Sequence, residues 1–312
     1  MRASVSLGLL LLLIAAPAPA QPAADLQSIV SLGQRIRTVP NVVYARANGW
    51  EGKLDVYAQR GAPGAPASPV VIYIHGGGWV LGTKETALVP EVLPFLAMGY
   101  SAVNVEYRLA RVSLAPAAIE DCRCALRWVI AHAKDYNFDV SRIVVAGASA
   151  GGHLALTTGM VPAAAGFDST CLAPAEPKVA AIVDFFGITD VADLLDGPAK
   201  KPFPESWPYA VQWLGNQPNR AEVARAASPL TYVRSGVPPT IVIHGDADDT
   251  VPYAHSVRLR DALQKAGVPN QLVTIAGGGH GGFAPDEMQR LYATIQSFLT
   301  AHLSSKPSSG GR

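Results

Sequence analysis

A serine at position 149 lies in the segment G-A-S-A-G, residues 147–151, where it could act as a nucleophile. The apolar run 142–146 before it predicts a buried strand, and residues 152–156 after it predict the start of a helix. A G-x-S-x-G segment between a strand and a helix is typical of a nucleophile elbow, a turn so tight that only small residues fit beside the serine. This placement predicts attack of the Ser149 hydroxyl on a carbonyl carbon. A glycine-rich turn with an incidental serine is the alternative.

The acid of such a site is expected after the serine in the chain. A serine hydroxyl is a poor nucleophile at neutral pH, so it needs an adjacent base that an acid orients, in the chain order serine, acid, base. Three carboxylates, Asp246, Asp248 and Asp249, follow the apolar run 240–244. The spacing G-x-x-D-x-x-V-P selects Asp248, and the other two are expected to cap and shape the turn. The cluster lacks the spacing of a calcium loop.

Three histidines follow Asp248 and are candidates for the base: His255, His280 and His302. His280 lies in a glycine-rich loop directly after the last apolar run, 271–275, and we select it as the base. His255 opens the helix beside the acid loop and is expected at the surface. His302 lies in the predicted terminal helix, next to the predicted disordered tail.

A run of three glycines after His75 predicts the donors that such a reaction needs. Consecutive glycines leave backbone N–H groups unobstructed, and these can stabilise the oxygen that becomes negative during attack. Gly77 and Gly78 are the expected donors, together with the N–H of Ala150, the residue after the serine. Gly76 is an alternative donor, and a flexible turn is the alternative to the whole assignment.

Other side chains near these motifs have less specific roles. His75 is expected to support the glycine loop, and His153 is expected to pack behind the elbow. The aromatic residues Trp79, Trp207 and Trp213 could line a substrate pocket, and Trp79 is our candidate substrate-binding residue. Packing in the core and in an insertion explains the three tryptophans equally well.

The elements that must position these groups alternate between strands and helices. This alternation predicts an α/β fold with a mainly parallel sheet, helices on both faces and the reactive groups at the carboxyl ends of the strands. An Asn48-Gly49 pair predicts a hairpin between residues 41–47 and 53–58. Further strands are predicted over residues 69–74, 101–106, 142–146, 179–186, 240–244 and 271–275, and helices over 85–98, 116–134, 256–266 and 286–302.

One catalytic domain, residues 21–303, accounts for the chain, because 312 residues of which 49% are hydrophobic can bury a large core. Residues 191–230 break the alternation and are rich in proline, alanine and aromatic residues. They predict a small cap insertion over the carboxyl edge of the sheet, or else a surface excursion packed on the body. The Ser/Gly-rich residues 304–312 predict a disordered tail.

The first twenty residues differ in kind from the rest. Arg2 precedes an apolar run, 7–16, and the segment ends in small residues at Ala20. These features predict a secretory signal peptide cleaved after Ala20, and hence a periplasmic or secreted protein. The run is too short for a stable membrane anchor. Removing residues 1–20, which contain Arg2, lowers the formal charge from +1 to zero. The chain has no basic block that would bind nucleic acid.

Three cysteines are present, so they cannot all pair within one chain. Cys122 and Cys124 lie two residues apart in a predicted helix and point in different directions. Either could form a disulfide with Cys171 in an oxidising compartment, and free thiols are equally compatible with the sequence. No Cys/His spacing suits zinc, and neither a metal nor a cofactor is expected.

With these motifs the chain resembles α/β-hydrolase esterases and lipases with an HGGG motif, of the hormone-sensitive-lipase-like or feruloyl-esterase-like kind. The resemblance covers most of residues 41–302 and is carried by His280 and the segments 75–79, 106–109, 147–152 and 245–252. Many relatives of hormone-sensitive lipase continue Tyr-Arg-Leu into Ala-Pro-Glu, whereas this chain has Ala-Arg-Val at residues 110–112. The departure favours the smaller secreted carboxylesterases.

The resemblance implies a serine carboxylesterase for short-chain or aromatic acyl groups that works through an acyl-enzyme, with Ser149 as nucleophile, His280 as base and Asp248 as acid. The expected substrate is a small-molecule or polysaccharide-linked ester, and the oligomeric state is open. An arylformamidase-like amidase or a peptidase is an alternative, because their motifs are similar. A binding protein built on this fold is disfavoured, because such proteins usually lack a member of the triad.

Overall fold

The computed structural model describes residues 30–62, 64–171, 178–196 and 209–303. The predicted signal peptide, the predicted tail and part of the predicted cap, with Phe203 and Trp207, lie outside the described residues. Among the helices of the described ranges, none is both long and apolar enough to cross a membrane.

Eight strands of the described chain form one sheet in the order β1-β2-β4-β3-β5-β6-β7-β8. Strand β2 pairs antiparallel with both β1 and β4. All neighbours in the remaining order β4-β3-β5-β6-β7-β8 pair in parallel. The mainly parallel sheet predicted from the alternation is therefore confirmed. The bounds are β1 (Ile36–Ala47), β2 (Trp50–Gln59), β3 (Ser68–Ile74), β4 (Ser101–Val105), β5 (Phe138–Ala148), β6 (Ala181–Phe185), β7 (Thr240–Gly245) and β8 (Asn270–Ile275).

The predicted hairpin joins β1 to β2. Asn48 and Gly49 have φ values of +48° and +82°, in the left-handed region that a two-residue hairpin turn requires. Ala47 then pairs with Trp50 across the turn.

The sheet is buried on both faces, as β3 illustrates. Val70, Ile72 and Ile74 belong to one core, and Val71 and Tyr73 belong to the other. Successive side chains of a strand point to opposite faces, so both faces must be covered to bury all five, which are inaccessible to solvent. This double burial explains why the run reads as continuously apolar in the sequence.

Helices provide the cover. The helices of residues 117–131, 150–160 and 254–265 pack on one core, and those of residues 93–97 and 285–303 pack on the other. The helix predicted over residues 85–98 is divided, because a π-helical segment, Leu88–Val92, separates α1 from α2, and Pro90 within it has no N–H for a regular helical bond. The bounds are α1 (Lys84–Ala87), α2 (Leu93–Ala97), α3 (Ala117–Ala131), α4 (Ala133–Tyr136), α5 (Ala150–Met160), α6 (Asp193–Asp196), α7 (Tyr209–Leu214), α8 (Arg220–Ala226), α9 (Ala254–Lys265) and α10 (Pro285–Leu303).

The described part of the predicted cap packs closely on the rest of the domain. Trp213 of α7 is fully buried, and its ring stacks on that of Trp79 with centroids 4.3 Å apart. The N–H of Ala115 donates to the carbonyl oxygen of Trp213 at 2.9 Å. Tyr209, at the start of α7, reaches the carboxyl edge of the sheet and donates to the carbonyl oxygen of Thr250 at 3.2 Å.

Of the two pairings that the sequence left open, the structure has a disulfide between Cys124 and Cys171, with Cα atoms 5.0 Å apart. Cys122 is a buried free thiol. A separation of two residues turns about 200° around a helix. Cys122 therefore faces the core, while Cys124 faces the segment that carries Cys171.

Replacing Cys124 by serine should lower the free energy of unfolding by about 2–4 kcal/mol, because the disulfide restricts the unfolded chain. Urea unfolding of the wild type with and without reductant measures the effect. Cys122→Ala is the matched control: it keeps the disulfide, so reductant should still shift its unfolding curve. A wild-type curve that reductant leaves in place would show that the bond contributes no stability.

Candidate active site

Ser149 lies at the turn between β5 and α5 with φ +57° and ψ −120°. These angles strain a non-glycine residue, and a turn of this type holds its hydroxyl out beyond the end of the strand. Glycine is required on both sides. A Cβ at Gly151 would collide with the carbonyl oxygen of Ile74, and one at Gly147 would lie 2.6 Å from the same oxygen. The predicted elbow is present and packs directly against the end of β3.

The structure brings the three predicted reactive side chains together at the carboxyl edge. His280 Nε2 lies 2.8 Å from Ser149 Oγ, and His280 Nδ1 lies 2.7 Å from Asp248 Oδ2. A carboxylate accepts, so Nδ1 carries the hydrogen and Nε2 is left to accept the proton of the serine. This is the arrangement of a nucleophile, its base and an orienting acid.

Four donors surround the carboxyl group of Asp248. Oδ1 accepts the N–H groups of Thr250 at 2.8 Å and Val251 at 2.9 Å. Oδ2 accepts from His280 and from Nε2 of His244, the latter at 3.1 Å. Burial by itself raises the pKa of this carboxyl. The hydrogen bonds from His244 and His280 outweigh burial and lower the pKa well below its ordinary value, so Asp248 is a carboxylate at neutral pH.

The glycine loop after β3 lies beside the elbow. Gly77 and Gly78 have φ values of +114° and +59°. A Cβ at Gly77 would collide with the carbonyl of Leu81, and one at Gly78 would lie 2.7 Å from Cβ of Tyr209. Within the described part of the chain, the N–H groups of Gly77, Gly78 and Ala150 donate to no backbone or side-chain acceptor. They are therefore available to a negatively charged oxygen.

His75 supports this loop from the interior, in the structural role expected for it. Its Nδ1 lies 2.7 Å from the carbonyl oxygen of Gly76, and its ring stacks on Tyr107 with centroids 4.4 Å apart. The Tyr107 hydroxyl donates to the carbonyl oxygen of His75 at 3.1 Å. Burial lowers the pKa of His75 to about 4, so the imidazole is neutral at neutral pH and donates through Nδ1.

The reactive groups open into a cavity of about 660 Å³. Phe186 and Tyr209 line it, and the Phe186 ring lies 4.7 Å from that of His280. Glu91 of the π-helical segment lines it too, and burial raises the pKa of its carboxyl. Neither Phe186 nor Glu91 lies in a motif, so the sequence does not identify them as lining residues. The φ of +43° at Phe186 is a signal that only the structure reveals.

Trp79, our candidate substrate-binding residue, lies outside the cavity lining. Its side chain is fully buried, and its Nε1 donates to Nδ1 of His153 at 3.2 Å. His153 in turn contacts the carbonyl oxygen of Ala227 through Nε2 at 2.7 Å. Trp79 stacks on Trp213, and both rings belong to the same hydrophobic core. The sequence position alone does not decide whether a tryptophan beside this loop points outward or inward.

Two further histidines lie in the interior. His255, expected at the surface, is fully buried, and its Nδ1 accepts the N–H of Thr189 at 3.2 Å. His244 in β7 is also fully buried and lies beside Asp248. His244 precedes the acid in the chain, so the chain order of the triad does not select it. Its position in an apolar strand was the one available signal that it is buried.

A second buried carboxyl, Asp184 of β6, lies beside the elbow helix. Its Oδ1 accepts the N–H of Gly187 at 2.9 Å, and its Oδ2 has no hydrogen-bond partner among the described residues. A Cβ at Gly152 would collide with Oδ1, so α5 packs directly on this group. Burial raises the pKa of Asp184 from 3.8 to about 7, against the opposing effects of His244 and the Gly187 N–H.

The strand order, the serine elbow, and an acid and a base on later loops together define an α/β hydrolase with a Ser-Asp-His triad. The chain belongs to the BD-FAE family, a family of α/β-hydrolase esterases, whose model matches residues 54–263.

Curated relatives include two esterases of Mycobacterium tuberculosis. Esterase LipQ is 30% identical over 259 residues, which cover 81% of this chain and 58% of LipQ. The probable carboxylic ester hydrolase LipM is 30% identical over 71% of this chain and 50% of LipM. The chain thus spans 50–58% of the length of these two relatives.

Solved structures agree with the fold. A truncated carbohydrate esterase from gut microbiota superposes with a TM-score of 0.71 and 26% identity, covering 86% of this chain and 97% of that chain. Esterase 2 of Thermogutta terrifontis superposes with a TM-score of 0.68 and 27% identity, covering 89% of this chain and 95% of that chain.

The raised pKa of Asp184 predicts a specific pH dependence of stability. In the unfolded chain this carboxyl ionises near 3.8, whereas in the folded protein it stays protonated up to about 7. The unfolded state therefore loses its proton first, and the Asp184 contribution to the free energy of unfolding falls as pH rises between these values. Over this pH range the free energy of unfolding should fall by up to roughly 4 kcal/mol more in the wild type than in Asp184→Asn, which has no carboxyl group to titrate at this position.

Urea unfolding at several pH values between about 4 and 7 measures this difference. Asp261→Asn is a control at an exposed carboxyl of α9, and its curve should run parallel to that of the wild type. If the Asp184→Asn curve also runs parallel to the wild type, the Asp184 carboxyl does not titrate as stated.

Proposed function

We propose that the protein hydrolyses carboxylic esters through an acyl-enzyme on Ser149. The observation that carries the proposal is the position of the His280 imidazole, which contacts Ser149 Oγ at 2.8 Å through one nitrogen and Asp248 Oδ2 at 2.7 Å through the other. Ser149 and His280 line the same cavity as the glycine loop after β3.

The first half of the reaction forms the ester on the enzyme. Ser149 Oγ attacks the carbonyl carbon of the substrate while His280 Nε2 takes the hydroxyl proton. The carbonyl oxygen becomes negative and accepts hydrogen bonds from the N–H groups of Gly77, Gly78 and Ala150. His280 then gives its proton to the leaving alkoxide as the bond between carbon and the alcohol oxygen breaks. Asp248 stabilises the imidazolium without taking its proton.

The second half uses water in place of serine. His280 takes a proton from a water molecule, whose oxygen attacks the acyl carbon, and the same N–H groups hold the oxyanion. The bond to Ser149 Oγ then breaks, His280 returns the proton to the serine, and the acid is released. These steps use only groups of this chain and water.

Esters with short acyl chains are the proposed substrates. A cavity of about 660 Å³ lies within the range of small-molecule sites. Structures of the Thermogutta esterase are described with bound propionate and with bound butyrate, and the gut relative is named a carbohydrate esterase. These names support a short acyl group on a small-molecule or polysaccharide-linked alcohol.

Ser149→Ala should lose covalent labelling by a fluorophosphonate probe and should reduce turnover of p-nitrophenyl acetate by roughly 10⁴-fold or more, because the nucleophile is gone. Mass spectrometry of the labelled peptide and release of p-nitrophenol are the measurements. Ser141→Ala, at an exposed serine near the other end of β5, is the control and should keep both properties. Labelling that persists in Ser149→Ala would exclude Ser149 as the nucleophile.

Turnover rates of matched esters and amides distinguish an esterase from an amidase. The wild type should hydrolyse p-nitrophenyl acetate and butyrate faster than the decanoate, and faster than the acetanilide or N-formylkynurenine. Faster turnover of an amide would place the protein among amidases instead.

The protein is also proposed to act outside the cytoplasm. The support is the leader-like pattern of residues 1–20 and the disulfide between Cys124 and Cys171, a bond that persists in oxidising compartments. Mass spectrometry of protein from a periplasmic or secreted fraction should find an N-terminus at Gln21. An uncleaved chain confined to the cytoplasmic fraction would contradict this location.

A further inference from the structure

The interior histidine His244 contacts the same carboxylate oxygen that holds the base. Its Nε2 lies 3.1 Å from Asp248 Oδ2 and 3.0 Å from the carbonyl oxygen of Val251. Both neighbours are acceptors, so Nε2 carries a hydrogen whatever the charge of the ring. His244 therefore donates to Oδ2, which also accepts from Nδ1 of His280.

Ser256 sets the orientation of this ring. Its Oγ lies 2.6 Å from Nδ1 of His244, and both residues are fully buried. When the ring is neutral, the Ser256 hydroxyl donates to Nδ1, which leaves the hydrogen on Nε2. The rings of Tyr253 and Phe186 pack edge-on at 5.6 and 6.3 Å. A continuous series of hydrogen bonds thus runs from Ser256 through His244 to the triad.

We propose that His244 is a positioning residue that, held by Ser256, shares the charge of Asp248 and limits how tightly Asp248 holds the protonated form of His280. The proposal rests on the proposed function, in which His280 takes a proton and later returns it. A carboxylate with fewer donors keeps more charge on Oδ2 and stabilises an adjacent imidazolium more strongly. His280 would then stay protonated to higher pH, where it cannot act as a base.

The other titratable groups near His244 are mainly uncharged at the pH values where the acid side of the profile is expected. Asp184 of β6 and His255 of α9 both interact electrostatically with His244. Burial raises the pKa of Asp184 to about 7 and lowers that of His255 to about 4, so both are mainly neutral between about pH 5 and 6. In this pH range the charged group next to His244 is the Asp248 carboxylate, and His280 contacts the same carboxylate oxygen.

His244→Phe tests the proposal, because it removes the donor and keeps a ring of similar size. The acid side of the kcat/KM profile for p-nitrophenyl acetate should move to higher pH by up to about one unit, because only the part of this hydrogen-bond energy that changes when His280 is protonated affects the profile. The rate at which a fluorophosphonate labels Ser149 should show the same shift. His244→Gln, whose amide can donate from a similar position, should restore most of the wild-type profile.

Ser256→Ala extends the test to a variant that leaves the ring in place. It should shift the pH profile in the same direction by a smaller amount. If His244→Phe does not fold, Ser256→Ala tests the proposal in its place. His255→Phe is the matched control, a fully buried histidine with no contact to Asp248, and its profile should superimpose on that of the wild type.

Two results would overturn the proposal: profiles of His244→Phe and Ser256→Ala that superimpose on the wild type, or activity that falls equally at every pH. Either would assign His244 to packing alone. A wild type that turns over no ester would instead overturn the proposed function, and the pH dependence of labelling would still decide the role of His244.

Discussion

The direct contact between the elbow turn and the end of β3 is the constraint on which the rest of the site depends. The carbonyl oxygen of Ile74 occupies the space that a Cβ of Gly151 would need, so β3 and α5 meet with no side chain between them. This contact holds Ser149 at φ +57° and places the glycine loop that follows β3 beside its hydroxyl. Nucleophile and N–H donors are thus positioned by backbone atoms, which side-chain rotation cannot displace.

Direct backbone contact also fixes the part of the site that contains Asp248 and His280. The acid and the base lie on the loops after β7 and β8, which are neighbours in the sheet and end at the same edge. A Cβ at Gly245 would collide with the carbonyl of Gly278, and the N–H of Ala247 donates to that carbonyl oxygen at 3.0 Å. The two loops therefore touch through their backbones. These backbone contacts fix the loops that carry His280 and Asp248, and they hold His280 within hydrogen-bond distance of Ser149.

Buried histidines connect these loops to the interior. His75, His153, His244 and His255 are all almost inaccessible to solvent. Burial lowers the pKa of His75, His153 and His255 to about 4, so these rings are neutral at neutral pH and can offer one donor and one acceptor each. A buried backbone polar group needs a partner, and a neutral imidazole supplies one without the cost of burying a charge. The edge of the sheet can therefore be both polar and closely packed.

The sequence by itself determined the alternation of strands and helices, the hairpin, the elbow and the three residues of the triad. These features depend on spacing within a few residues and on chain order, which a single sequence contains. The tertiary structure decided that Cys124 forms the disulfide, that Trp79 and His255 are buried, and that His244 lies against Asp248. Each depends on which face of a helix or loop meets a segment distant in the chain, and local spacing does not specify that contact.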